Sequence, residues 1–389
     1  YNSDYGWDTY RPEAEWTRLG FSSVLPSNRK NSQWILADMN RGYLLCPSYP
    51  QKIIVPSTLT ESDLINAAKQ RSNSRLPVVV WKDSASDACL LICSELSFNV
   101  TSSDDSFLLK EVHSLNSASS HIFFVDACKK MKFIRPSYAR SKVLNFPLVK
   151  RLNLARSRAR LERFCLECDT DFLDPTSWND AVEATGWVAH QRALIVAVNK
   201  CVELLVGRNT VVAASDNGWD YSLSIASLAQ LMLDPYYRTL KGFIVLIEKD
   251  WLAFGHKFSQ RYGHGVKNQF DKEKREQAPV FPQFIECVVA LLMQHPDDFE
   301  FDVDFLLYLL DALYSCRYGT FLCDNEQERI KVRGETLSLW ADIGVSLHSS
   351  FFNQNFKSGV GVLTFDPGRV VFWAQYYLRH RSTSFYFRR

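Results

Sequence analysis

Residues 210–233 contain the residue types that anion binding requires, and these occur in the required order. Residues 210–214 are a short run of β-branched and small apolar residues, which predicts a buried strand. In residues 222–233 apolar residues recur at the spacing of one helical face, which predicts a helix. The polar loop between the two elements is called the anion loop here and consists of Ser215, Asp216, Asn217, Gly218, Trp219, Asp220 and Tyr221.

A loop between a strand and a helix can hold an anion for two physical reasons. The backbone N–H groups of the first helical turn have no partner within the helix and point towards the loop. The positive end of the helix dipole lies behind them. The sequence therefore predicts an anion site where the helix after residue 221 begins.

Cys165 and Cys168 form a Cys-x-x-Cys pair, which is a spacing found in zinc and redox sites. A zinc site would need a second pair of ligands at a suitable distance, and the sequence offers none. We therefore favour two ordinary reduced thiols, and we expect no metal and no cofactor. The lone His190, in the first turns of a predicted helix, is interpreted as structural.

The chain is locally rich in positive charge after residue 128. A basic segment at 129–136 is followed by Arg151, Arg156, Arg158, Arg160 and Arg163. One interpretation is a contact with acidic lipid headgroups. The other, which we favour, is the solvated face of a helix. Its buried face would then contain Leu152, Leu154, Ala155, Leu161 and Phe164.

Strand and helix patterns alternate along the rest of the chain. Strands are predicted at 78–81, 89–94 and 121–127, and helices at 63–70, 185–206, 282–294 and 302–315. Residues 231–258 predict a helix, a turn at Pro235 and a second helix. The serines and aspartates of residues 102–120 predict a polar, partly mobile connection.

Composition excludes several classes of protein. With 389 residues, of which 46% are hydrophobic, the chain can bury a large core, and its net charge of +2 gives no reason to expect a nucleic-acid partner. The ten cysteines lack the regular short spacings of a disulfide framework, and no apolar signal opens the chain, which predicts a reducing, cytosolic setting. Apolar runs such as 288–293 are too short to cross a bilayer, so any membrane contact would be peripheral.

Several ordered motifs resemble the myotubularin family, the cysteine-dependent phosphatases of 3-phosphoinositides. The family signature, His-Cys-Ser-Asp-Gly-Trp-Asp-Arg-Thr before a Ser-Leu-Ala-Gln helix, is matched in spacing by Gly218-Trp219-Asp220 and by 227–230. Residues 231–258 are the longest matching segment. The resemblance implies one large α/β domain over 1–389, with a cysteine-phosphatase-like central sheet flanked by helices. The PH-GRAM and coiled-coil regions of the family are not present in this chain.

The residues that carry the chemistry of the signature differ. Ser215 stands where the family has its nucleophilic cysteine, and Tyr221 stands where it has its phosphate-binding arginine. Ala214 replaces a histidine and Asn217 replaces a substrate-contacting aspartate. Asp220, which matches the family's proposed general acid, is retained. For Asp220 we favour a role in capping the next helix or stabilising the loop.

These differences point to lost catalysis. A serine hydroxyl does not ionise as a thiolate can, and the local sequence offers only Asp216 and Asp220 as bases, neither placed by its spacing as a partner. Tyr221 puts a neutral phenol in place of a charged, bidentate guanidinium. The loss of either group should slow catalysis roughly a thousandfold.

The resemblance implies a catalytically inactive pseudophosphatase that acts as a regulatory subunit or adaptor. Its expected partner, in a heteromer, is an active myotubularin-family phosphatase of phosphatidylinositol 3-phosphate and 3,5-bisphosphate metabolism. Its expected location is cytoplasmic, with peripheral contact to endosomal or other intracellular membranes. His256 matches a scaffold position of the family and is interpreted as structural.

Three alternatives remain open at this point. The chain could be a non-hydrolysing phosphoinositide-binding module with weak membrane contact. It could be a phosphatase whose nucleophilic cysteine was engineered to Ser215. It could also be a residual enzyme that uses Ser215 or another group.

Overall fold

A computed structural model describes residues 6–21, 33–97, 105–127, 138–167, 175–264, 276–345, 349–357 and 361–379. The basic segment 129–136 and Cys168 lie outside these ranges. Nothing is therefore concluded about the structure of either.

Seven strands occur in the described part of the chain. They are β1 (Trp34–Ala37), β2 (Ile53–Pro56), β3 (Val78–Lys82), β4 (Cys89–Ser94), β5 (Ile122–Asp126), β6 (Ser141–Asn145) and β7 (Thr210–Ser215). β1 and β2 form a small antiparallel sheet. The other five form the central sheet in the order β3-β4-β7-β5-β6, in which β3 is antiparallel to β4 and the remaining pairs are parallel.

Helices flank this sheet, and in the described ranges all helices after residue 220 follow its last strand, β7. The first seven are α1 (Pro12–Arg18), α2 (Glu61–Lys69), α3 (Asp105–Ser114), α4 (Arg151–Glu167), α5 (Pro175–Ala184), α6 (Trp187–Val206) and α7 (Tyr221–Leu233). The next seven are α8 (Leu240–Leu246), α9 (Phe258–Tyr262), α10 (Val280–Gln294), α11 (Val303–Ser315), α12 (Glu326–Val332), α13 (Leu339–Val345) and α14 (Ala374–Tyr377). A π-helical segment, Ile247–Ala253, continues α8.

β7 is the middle strand of the sheet, and all six of its residues are buried. Continuous burial is typical of a parallel strand that helices cover. The α/β class and the central sheet flanked by helices are therefore confirmed. The strands predicted at 78–81, 89–94 and 121–127 correspond to β3, β4 and β5 with ends that differ by at most one residue.

The prediction of a polar, partly mobile connection at 102–120 was wrong for much of its length. Helix α3 occupies Asp105–Ser114. Leu108, Leu109 and Val112 form its buried face. Their helical spacing outweighs the polar composition of the segment because these three side chains remove apolar surface from water.

The helix expected in the basic region is present as α4, but its buried face differs in part from the prediction. Leu154 and Leu161 are buried as expected, whereas Leu152 is exposed. Arg158, expected on the solvated face, is buried and forms an ion pair with Glu286 at 3.1 Å. The favoured interpretation of a solvated arginine face therefore holds only for some of these arginines.

The second half of the chain forms a core rich in aromatic residues. Phe243 and Trp251, on α8 and its continuation, contact Phe284 of α10, and Phe243 also contacts Phe301 and Phe305. All five side chains are buried. In the described ranges, every helix is too short or too polar to cross a bilayer.

Candidate anion-binding site

The anion loop connects the carboxyl end of β7 to the start of α7. Because β4 and β5 lie on either side of β7 and run parallel to it, their last residues, Ser94 and Asp126, flank the loop at the same edge of the sheet. Ligands of parallel α/β sheets bind at this edge. The strand, loop and helix predicted from the sequence are confirmed.

Gly218 lets the loop turn tightly against the sheet. Its φ of +75° lies in the left-handed region, and a Cβ atom there would lie 2.8 Å from the backbone nitrogen of Ser94 and 2.9 Å from Nε of Arg75. Only glycine fits this position without a shift of the neighbouring atoms. The carbonyl oxygen of Gly218 accepts a 2.6 Å hydrogen bond from Nη2 of Arg75.

Arg75 fixes the rear of the loop from a fully buried position. Its Nη1 donates to Oγ of Ser48 at 2.7 Å and to the carbonyl oxygen of Phe254 at 2.8 Å. The guanidinium group thus joins three separate segments of the chain. The sequence analysis did not single out Arg75, because none of these three contacts is local in sequence.

Asp220 does not cap α7 through its side chain, so that part of the prediction was wrong. Its carboxylate instead accepts hydrogen bonds from Nε of Arg261 at 3.2 Å and from Nη2 of Arg261 at 3.0 Å. Burial raises the pKa of Asp220, but Arg261 and His256 outweigh this effect and hold the pKa well below its usual value. A carboxyl group in this state remains ionised and is poorly suited to donate a proton as a general acid.

His256 contacts the loop directly. Its Nδ1 lies 2.8 Å from the carbonyl oxygen of Trp219 and 3.3 Å from Oδ1 of Asp220. A carbonyl oxygen can only accept, so Nδ1 carries a proton, and Nε2 is hydrogen-bonded to the hydroxyl of Tyr262 at 3.1 Å. That hydroxyl in turn accepts from the N–H of Phe281 at 2.8 Å. The imidazole therefore positions the loop, as a scaffold residue would.

Ser215 is the last residue of β7 and is only 4% exposed. Its hydroxyl donates to Oγ of Ser222 at 3.2 Å and accepts from the N–H of Ser222 at 3.3 Å. Within the described ranges no carboxylate or imidazole accepts its proton. A serine without a base at hydrogen-bond distance is a weak nucleophile.

The side chain of Tyr221 leaves the loop. Its hydroxyl donates to the carbonyl oxygen of Val149 at 2.8 Å, and the residue is buried. Burial, Asp220 and Asp216 together raise the pKa of Tyr221, while Arg151 opposes them. The phenol is therefore neutral and hydrogen-bonded to the segment before α4.

The remaining predicted residues lie at the outer side of the loop. Asp216 is exposed, and Asn217 is half-buried, with its Oδ1 3.5 Å from Nδ2 of Asn73. The indole of Trp219 lies beneath Nζ of Lys257, which is 5.0 Å from the ring centre. Lys257 therefore lies at the rim of the site, next to Trp219. The sequence analysis did not identify this lysine.

Within the described ranges, the backbone N–H groups of residues 216–220 have no hydrogen-bond acceptor. Gly218 and Asp220 are nevertheless buried residues. Successive unpaired N–H groups at a helix start can coordinate an anion.

Arg151, the first residue of α4, lies next to the loop. Its Nη1 is 3.6 Å from Oδ2 of Asp220, and its Nη2 is 3.2 Å from Oε2 of Glu276. Arg261 shares both carboxylates. The sequence analysis placed Arg151 on a basic helix face. It had no signal that this helix begins beside the anion loop, because the loop lies 64 to 70 residues after Arg151 in the sequence.

The Cys-x-x-Cys pair can be assessed at one residue only. Cys165 is buried in α4, and Cys168 lies outside the described ranges. Among the described histidines, cysteines and carboxylates, no group of three is arranged to hold a metal ion.

A mostly parallel sheet with an anion loop at the carboxyl edge of its middle strand defines an α/β domain of the class that binds phosphate groups at a helix N-terminus. Comparison with known families makes this specific. Residues 1–330 match the family described as the myotubularin-like phosphatase domain. The chain belongs to this family.

Curated relatives of known name support the same assignment. The chain is 33% identical to myotubularin of Xenopus laevis over 390 aligned residues, which cover 96% of this chain and 63% of that protein. It is 34% identical to phosphatidylinositol-3,5-bisphosphate 3-phosphatase MTMR6 of Mus musculus, over 86% of this chain and 54% of the relative. It is also 34% identical to phosphatidylinositol-3-phosphate phosphatase MTMR7 of Homo sapiens, over 91% of this chain and 54% of that relative. The chain thus spans between about half and two thirds of these relatives.

Proposed function

We propose that this chain is a catalytically inactive myotubularin-like domain, a pseudophosphatase. The observation that supports this most directly is the placement of the two exchanged side chains. The hydroxyl group of Ser215 has only Ser222 as a hydrogen-bond partner among the described residues, so no base activates it. Tyr221 directs its hydroxyl at Val149 and contributes no positive charge to the loop. Nucleophile and cation are both missing from the positions where phosphoryl transfer would need them.

The retained Asp220 does not restore activity. Phosphoryl transfer of this type needs a proton donor for the leaving oxygen. The low pKa of Asp220, caused by Arg261 and His256, keeps the carboxyl group ionised at neutral pH. Asp220 is therefore better suited to hold the loop against Arg261 than to donate a proton.

The biological role that we propose is that of a regulatory subunit or adaptor of an active phosphoinositide 3-phosphatase. Its support is the family itself, whose curated members include phosphatidylinositol-3-phosphate and phosphatidylinositol-3,5-bisphosphate 3-phosphatases. A domain that keeps the fold of these enzymes but lacks their chemistry can act only through binding. We propose a cytoplasmic protein that contacts intracellular membranes peripherally.

A turnover assay tests the absence of catalysis. Release of phosphate from phosphatidylinositol 3-phosphate is measured for the chain and for the double variant Ser215→Cys, Tyr221→Arg. We expect background release from the chain and weak but measurable release from the double variant, because a thiolate and a guanidinium return to the loop while Asp220 stays ionised. Release by the unaltered chain that disappears in Ser215→Ala would contradict the proposal.

One structural feature favours a second candidate, a phosphoinositide-binding module that does not hydrolyse its ligand. The unpaired N–H groups of residues 216–220 remain available to a phosphate even without a catalytic side chain. This candidate does not exclude the first, since a regulatory subunit can also bind a lipid.

A further inference from the structure

We propose that a second cavity, remote from the anion loop, binds a small organic polyanion whose charged groups are phosphates or carboxylates. The cavity lies between α1 with the residues just before it, Tyr236 and α8, and it is called the α1–α8 cavity here. Its volume of about 540 Å³ is typical of small-molecule sites, which measure about 300–1,000 Å³. The inference goes beyond the proposed function and does not depend on it.

Helix α7 separates this cavity from the anion loop. The loop precedes the first residue of α7, whereas Tyr236 belongs to the 3₁₀ turn Pro235–Arg238 that follows the last residue of the helix. A helix of 13 residues is about 20 Å long. No residue of the anion loop lines the cavity, so the two sites are distinct.

Both carboxylates that line the cavity already have cationic partners. Glu15 is only 4% exposed, and it accepts hydrogen bonds from Nε and Nη2 of Arg18 at 2.9 Å each. Nζ of the buried Lys249 lies 3.9 Å from Oε1 of Glu15. Asp8 accepts a 2.6 Å hydrogen bond from Nη2 of Arg333. The negative charge of the lining is therefore compensated within the protein.

The donors that line the cavity are not used up in the same way. Arg11 and Lys241 are exposed at its rim, and neither forms an ion pair with a described residue. The hydroxyl of Tyr236 also has no hydrogen-bond partner among the described residues. Bonds to carboxylates of the protein use only three of the five N–H groups of Arg18. Satisfied carboxylates beside unused cationic donors fit a ligand that accepts hydrogen bonds and carries negative charge.

Arg18 is held in position without a ligand. Its guanidinium group lies over the rings of Tyr236 and Tyr237, at 4.1 and 4.8 Å from their centres. Its Nη1 donates to Oδ2 of Asp234 at 2.9 Å. A planar cation that is already fixed loses little conformational freedom when it binds an oxyanion. Because two further cations lie at the rim, a ligand with more than one anionic group fits the cavity better than a single phosphate ion.

The test is isothermal titration calorimetry at constant ionic strength, with pyrophosphate and citrate as the two probes. The double variant Arg11→Ala, Lys241→Ala removes both cations of the rim. Its matched control, Lys110→Ala, Arg156→Ala, removes the same charge from two exposed positions outside the cavity. We expect the first variant to weaken binding about tenfold or more, as the loss of charge-assisted hydrogen bonds predicts, and the control to change it less than about twofold.

Two single variants test the cavity without changing its charge. Ala14→Trp fills the cavity with a large side chain and should abolish binding, whereas Thr17→Trp, at an exposed position of α1 that does not line the cavity, should leave it unchanged. Tyr236→Phe keeps the ring beneath Arg18 and removes only the hydroxyl, so binding should become a few times weaker. Urea unfolding midpoints show whether each variant is folded.

Each outcome decides the claim. Binding that is lost in the cavity variants supports it, and the tighter probe then shows whether phosphate or carboxylate groups are preferred. No binding of either probe, or equal losses in the two double variants, overturns it. Unchanged binding in folded Ala14→Trp also overturns it, because the anion would then bind elsewhere. None of these results depends on lipid hydrolysis, so a failure here is distinct from a failure of the proposed function.

Discussion

At the scale of single residues, Asp220 is the residue of the signature that the rest of the fold holds most firmly. Its carboxylate is buried against Arg261, and removal of one partner from a buried ion pair leaves the other charge uncompensated. We expect Asp220→Asn to lower the free energy of unfolding by about 3 kcal/mol. Urea unfolding measures the change. Asp216→Asn, at an exposed position of the same loop, is the control and should change it by less than about 0.5 kcal/mol.

The effect of Asp220→Asn on the free energy of unfolding should depend on pH. The pKa of Asp220 is lower in the folded than in the unfolded protein because Arg261 and His256 outweigh the effect of burial. The stabilisation is therefore complete above the unfolded value near pH 4 and is lost as the pH falls below it. The difference between the unaltered chain and Asp220→Asn should be constant from about pH 5 to 7 and should shrink towards pH 3. A difference that does not change over this range would contradict the assignment.

The loop residues could be located from the sequence, but their partners could not. The spacing of Gly218, Trp219 and Asp220 was enough to place the turn between a strand and a helix. Arg261 lies 41 residues from Asp220, and Arg75 lies 143 residues from Gly218. Contacts over such distances depend on how the elements pack, which residue types and local spacing do not determine.

At the scale of elements, Glu286 of α10 joins three further helices. Its carboxylate accepts from Nη1 of Arg158 in α4 at 3.1 Å, from Nε1 of Trp187 in α6 at 2.7 Å and from the hydroxyl of Tyr377 in α14 at 2.8 Å. Gln191, also in α6, donates to it at 2.7 Å. A buried carboxylate with this many donors stabilises one arrangement of the four helices.

A substitution at Arg158 tests this arrangement. We expect Arg158→Met to lower the free energy of unfolding by about 3 kcal/mol, because Glu286 is left in a buried position without its cation. The control is Arg156→Met, since Arg156 is exposed on the same helix. Equal unfolding midpoints for the two variants would show that the pair contributes nothing measurable.

Periodicity predicted most elements and failed where composition was given more weight than spacing. The strands β3, β4 and β5 were recognisable as continuous apolar runs. The helix α3 was missed because its serines and aspartates suggested a connection, although its apolar residues had helical spacing. In α4 the direction of the buried face was misjudged, since Leu152 is exposed and Arg158 is buried.

At the scale of the whole molecule, the chain is one myotubularin-type domain that covers only part of its relatives, at most 63% of those compared above. If it acts as a regulatory subunit, it should associate with an active member of the family. We expect a tagged chain to co-purify with a full-length active relative, such as the human phosphatidylinositol-3-phosphate phosphatase MTMR7, and to alter its rate of lipid hydrolysis.

An unrelated α/β protein carrying the same tag is the control for that experiment. Elution of the two proteins as independent species, with unchanged hydrolysis, would contradict the regulatory role.

The clamp formed by Arg75 behind Gly218 has a consequence for the history of the site. Arg75 and Gly218 hold the turn from the side that faces the sheet, and neither contact involves Ser215 or Tyr221. Selection for a stable fold would therefore preserve that inner half of the turn independently of selection for turnover. Substitutions at Ser215 or Tyr221 would leave this clamp intact, so a protein that acquired them one at a time would keep the inner half of the turn.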